Sequence, residues 1–92
     1  MADQREKAIF KEFQQIPGVS KLLSQDLYDL GYRLVDELKG QNPEEMYEKH
    51  CMQQGQPVDR CVLYVFREAV YYASNDVHDP ELLKCWNWKD KK

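Results

Sequence analysis

The sequence predicts an all-α fold, a single compact domain of five to six helices, and three observations predict it. Apolar residues recur at helical spacing almost throughout, with no sustained two-residue alternation and few β-branched runs. Proline, glycine and capping Ser, Asn or Asp interrupt that pattern at helix-length intervals. With 92 residues, 42% hydrophobic and 32% charged, the chain can build one modest core under a well-solvated surface.

The first helix is expected over about residues 3–15, with Ile9, Phe10, Phe13 and Ile16 on one face. Pro17 cannot continue it, Gly18 permits backbone angles closed to other residues, and Ser20 is a strong N-cap. A second helix follows to about residue 30, with Leu22, Leu23, Leu27 and Leu30 turned to the first and Gly31 as its C′ glycine. Residues 34–38 make a short helical turn stopped by Gly40. Asn42-Pro43-Glu44-Glu45 is a strong helix start, with Asn as N-cap, Pro at the first position and acids in the first turn; this helix carries Met46, Tyr47, His50 and Cys51.

After the break at Gln54-Gly55-Gln56-Pro57, the longest helix is expected over about residues 58–74. Its Val58, Cys61, Val62, Val65, Phe66, Ala69, Val70 and Ala73 cover more than one face, which makes it the central helix. Val62, Val65, Phe66 and Ala69 are expected among the most buried residues. A last element begins near His78-Asp79-Pro80-Glu81 and carries Leu82, Leu83 and Cys85 into Trp86-Asn87-Trp88, before a tail at 89–92 expected to fray. Residues 1–92 read as one domain without linker, solenoid repeat or low-complexity segment.

A formal net charge of −3 gives no global attraction to nucleic acid, so such binding must rest on a local patch. The N-terminus lacks the apolar run of a secretion signal and no segment has the length to cross a bilayer, so a cytoplasmic location and no membrane partner are expected. Cys51, Cys61 and Cys85 form an odd set without CxxC spacing, which fits reduced thiols acting as small buried hydrophobes. His50, His78 and Cys85 join Cys51 and Cys61 as a conceivable ligand set, yet no pair has zinc-site spacing; no metal and no cofactor are expected. No nucleophile elbow, HExxH, P-loop or dinucleotide fingerprint is present, and Glu44, Glu45, Glu48, Asp26 and Asp29 read as helix-start charges and a solvated face. The expectation is a binding module, not an enzyme.

Two surfaces are candidates for binding. Residues 13–21, Phe-Gln-Gln-Ile-Pro-Gly-Val-Ser-Lys, closed by Leu30-Gly31, form a helix-hairpin-helix signature. Its loop would offer backbone N–H groups to a nucleic-acid phosphate through Gly18, Val19 and Ser20, with Lys21 beside them. Ser20 stands where the DNA-binding pattern has a second glycine, and the alternative is that Ser20 simply caps the second helix and Lys21 is a solvated lysine. The second surface is the stripe Arg60, Tyr64, Arg67 and Tyr71 at i, i+4, i+7 and i+11, where guanidinium groups alternate with rings suited to stacking on a single strand. Its plainer reading has Trp86 and Trp88 covering the stripe and Asp59, Glu68 or Asp79 pairing the arginines.

The blocks at residues 57–67, 69–73, 80–84 and 86–90, including Trp86-Asn87-Trp88-Lys89-Asp90, resemble the bacterial pathogenicity-locus family of small helix-hairpin-helix proteins, some of them labelled mitomycin-resistance-like. The resemblance runs from about Phe13 to Asp90. A weaker similarity, in hairpin and helix order only, is to the C-terminal domain of TfoX-type competence regulators. The resemblance implies a helix-hairpin-helix or SAM-like fold and a link to nucleic acid, without a settled biochemical activity. The leading expectation is sequence-independent binding of DNA or another nucleic acid through the hairpin amides. The alternative is a protein partner or self-association through the aromatic C-terminal region.

Overall fold

The structure, a computed structural model, describes residues 4–89. Among them there is no strand: the chain forms α1 (Gln4–Gln14), α2 (Lys21–Asp29), α3 (Pro43–Gln54) and α4 (Arg60–Ser74), with 3₁₀ turns at Val35–Leu38, Pro80–Leu83 and Cys85–Trp88. The expected five to six helices reduce to four because the short segments between breakers hold only four residues each, enough for a 3₁₀ turn but not for an α-helical nucleus. The start near residue 3 and the tail beyond residue 89 lie outside the described residues. No described helix is long and apolar enough to cross a membrane.

Capping groups set the boundaries. Ser20 Oγ accepts from the Leu23 amide at 3.3 Å, and Asn42 Oδ1 accepts from Glu44 and Glu45 amides at 2.9 and 3.3 Å. Gly55 ends α3 in the left-handed region at φ 72°. Asp59 Oδ1 accepts from the Cys61 amide at 2.9 Å, so α4 begins at Arg60 rather than at Val58.

Phe13, Ile16, Val19, Leu27, Leu30, Val35, Leu38, Met46, Val65, Phe66 and Ala69 form one buried cluster. Helix α4 is its hub: α3, the first 3₁₀ turn and both C-terminal turns pack on it, while α1 and α2 pack on each other. Three expectations about faces are corrected. Leu22 is 76% exposed, and Ser24 takes the inward position, its hydroxyl satisfied by donating to Lys21 O at 2.6 Å. On α4 Val65, Phe66 and Ala69 are buried as expected, but the buried face also takes in Leu63, while Val62 is only partly covered and Cys61 is exposed. The same face carries Glu68, which is 0% exposed.

Candidate nucleic-acid interface

The corner between α1 and α2 is pinned from inside. Ile16 and Val19 are buried, the Val19 amide donates to Ile16 O at 3.1 Å, and Gly18 turns the chain at φ 85°. Of the four expected contact residues, Val19 therefore faces the core through its side chain, whereas Gly18, Ser20 and Lys21 lie at the surface. No protein acceptor takes the Gly18 or Ser20 amide hydrogen among the described residues. Ser20 caps α2 with a lone pair, which leaves its hydroxyl hydrogen able to donate outward.

Beside this corner a groove of about 490 Å³ lies along α1 and reaches the first residue of α2, lined among others by Lys7, Phe10, Lys11, Gln14 and Lys21. Lys7 and Lys11 stand four residues apart on one face of α1, and Lys21 opens α2. The two helices are fixed by Phe10 edge-on to Tyr28 at 5.4 Å and by Tyr28 Oη donating to Glu6 Oε1 at 3.2 Å, with Arg33 stacked 3.7 Å from the Tyr28 ring. Sequence reasoning did not find Lys7 and Lys11. Their i, i+4 spacing was readable, but their alignment with Lys21 depends on how α1 lies against α2.

Below the corner lies an acid. A Cβ on Gly18 would stand 2.9 Å from Glu68 Oε1, the end of a flexible side chain that would have to shift, so the φ of 85° calls for glycine and the carboxyl crowds any side chain added there. Both carboxyl oxygens of Glu68 are buried without a hydrogen-bond partner, and burial pushes the group up to about 8. Glu68 is thus no partner for the arginines of α4.

The stripe on α4 is largely engaged. Arg67 donates twice to Glu44 Oε1, from Nε at 3.1 Å and Nη2 at 2.9 Å, and once to Trp88 O at 2.7 Å. Tyr71 packs 5.6 Å from the Trp88 ring, and its hydroxyl accepts from the Asp79 amide at 2.7 Å. Arg60 lies 5.7 Å over Tyr47, and Tyr64 lies under Arg67 at 5.8 Å. Trp88 covers the Tyr71 end of the stripe, but Trp86 is 57% exposed and does not. For Arg67, Glu44 takes the pairing role expected of Asp59, Glu68 or Asp79; Asp59 and Asp79 are N-caps of α4 and of the Pro80–Leu83 turn.

The family model Cdd1, pathogenicity locus, matches residues 6–92. The chain belongs to the pathogenicity-locus family. That match takes in the corner, its lysine groove and the Arg67–Glu44–Trp88 cluster, and for this member of the family no curated protein and no solved structure was matched.

Cysteines and histidines complete the inventory of reactive groups in this family member. Cys51 and Cys85 are half-buried, but Cys61, in the first turn of α4, is exposed, against the expectation of buried thiols. A hydrogen bond to Asp59 and that residue's charge push the Cys61 thiol up, away from the reactive thiolate. His50 is buried, with Nε2 3.7 Å from Asp26 Oδ2 and its ring edge-on to Phe66. Burial raises the Asp26 carboxyl, His50 opposes that shift and Asp29 adds to it. Among the described residues no group of three or more His, Cys, Asp or Glu is arranged to hold a metal ion.

Proposed function

We propose that this pathogenicity-locus protein is a non-enzymatic helix-hairpin-helix module that binds nucleic acid, DNA in the first place, without sequence preference and in the bacterial cytoplasm. The observation that carries this reading is one groove that joins Lys7, Lys11 and Lys21 to the N-terminus of α2. A helix N-terminus bears partial positive charge and unpaired N–H groups, and lysines beside it supply the point charges that hold a phosphate backbone. Gly18 and Ser20 contribute amides, Ser20 its hydroxyl hydrogen, and Lys21 the nearest ammonium; Lys7 and Lys11 extend the track to a neighbouring phosphate. The proposed contacts are through backbone amides and charge to phosphate, which carry no sequence information, so no sequence preference follows.

A gel-shift panel of single-stranded, duplex and branched DNA at low salt tests the reading. Lys21→Glu is expected to abolish most binding, and Lys7→Glu with Lys11→Glu to weaken it further. Wild-type protein that shifts none of these forms overturns the proposal. The second reading, a protein partner or self-association through the C-terminal region, is favoured by Trp86, an aromatic ring left 57% exposed. Trp88 is no anchor for it, since its ring packs on Tyr71 and its Nε1 donates to Leu82 O at 2.8 Å.

A further inference from the structure

Glu68 makes none of the proposed phosphate contacts, yet its carboxyl lies directly beneath the corner. It is 0% exposed, neither carboxyl oxygen has a partner, and Oε1 lies 2.9 Å from where a Gly18 Cβ would stand. Burying an unpaired carboxylate costs far more than burying the neutral acid, so the seat under Gly18 suits the protonated form. Burial alone accounts for the upward shift to about 8, without help or opposition from a charged neighbour.

The charged and titratable groups on the surrounding elements are engaged elsewhere. On α3, His50 faces Asp26 and Phe66, and Glu44 holds Arg67. In the first 3₁₀ turn Glu37 accepts from the Arg33 and Leu34 amides, and Asp36 is exposed. In the C-terminal segment Lys84 pairs with Glu81, and on α4 itself Tyr71 and Tyr72 pack on His78. At the corner, neither Glu12 nor Lys21 approaches the Glu68 oxygens within hydrogen-bond reach.

We propose that Glu68 is a positioning residue for the corner: as the neutral acid it seats Gly18 for phosphate binding, and losing its proton unseats the corner and releases the nucleic acid. A carboxylate can regain hydration only if the Gly18 turn lifts from α4, and in place its charge repels phosphate through the turn. The functional half of this inference rests on the phosphate-binding reading above; the structural half does not.

The experiment follows the backbone amides of Gly18, Val19 and Ser20 by NMR in the full chain from pH ~6 to ~9.5, for wild type and Glu68→Gln. Affinity for a fluorescein-labelled duplex is measured at low salt over the same range. In wild type the amides are expected to titrate as one group near 8, and affinity to fall about 10-fold across that step. In Glu68→Gln both should be flat. Glu68→Met, apolar and similar in length, serves the same purpose if the glutamine variant does not fold. Equal pH profiles in wild type and variant overturn the proposal. Amides that titrate only in wild type, with no DNA bound at any pH, sustain the proton-controlled corner and reject the nucleic-acid reading instead.

Discussion

Glycine at position 18 answers first to a φ of 85°, which strains any side chain, and a side chain there would also have to displace the end of the Glu68 carboxyl on its inner side. Gly18→Val is therefore expected to destabilise the chain by about 2 to 4 kcal/mol, from backbone strain and overpacking together. Urea melts check this; an unchanged midpoint would show that the corner is looser than described. Glu68 carries the second prediction. Its folded-state pKa lies above the unfolded value of 4.5, so the folded state binds more protons between the two. The contribution to stability is complete below about 4.5 and is lost as pH rises through about 8. Glu68→Gln should remove most of this loss, so its stability relative to wild type should rise by about 3 kcal/mol between pH ~5 and ~8.5. Parallel stability profiles of the two proteins would contradict it.

At the scale of elements, the Arg67 cluster ties three pieces together. Its guanidinium joins the first turn of α3 through Glu44 to the Cys85–Trp88 turn through Trp88 O, both across α4. Arg67→Ala is expected to cost about 1 to 3 kcal/mol and to shift Trp88 emission to longer wavelength as that turn loosens. Emission unchanged in the variant would mean that the turn is held by packing alone. In the core, Phe66→Ala should cost about 3 to 5 kcal/mol, since the ring is fully buried.

Most element boundaries were readable in the sequence because they are set by local chemistry: Ser20, Asn42 and Gly55 act within one turn of where they stand, whereas the Asp59 cap, which starts α4 at Arg60, looked like an arginine partner. Inward faces were less readable. Leu22 and Ser24 exchange roles because the rotation of α2 is set by its partners, and a serine satisfied by its own helix costs little to bury. Glu68 was hidden for a related reason, since a charged residue on a helix is ordinarily solvated and only the approach of the Gly18 turn covers it.

For the whole molecule, a net charge of −3 coexists with a groove that gathers Lys7, Lys11 and Lys21. The overall field opposes a polyanion while the groove attracts it, so binding must be local, short-ranged and strongly weakened by salt. The candidate site divides along the same line. Gly18, Ser20 and Lys21 were visible as a local motif, whereas Lys7 and Lys11 join them only through tertiary packing of α1 on α2.

The most direct test is the salt dependence of DNA affinity, read as log K against log salt concentration for wild type and for Lys7→Glu/Lys11→Glu/Lys21→Glu. Phosphate contacts through the three lysines predict a slope of about −2 to −3 for wild-type protein on duplex and no measurable binding for the triple variant. A flat salt response, or equal affinity in the two proteins, would contradict a phosphate-binding groove at the α1–α2 corner.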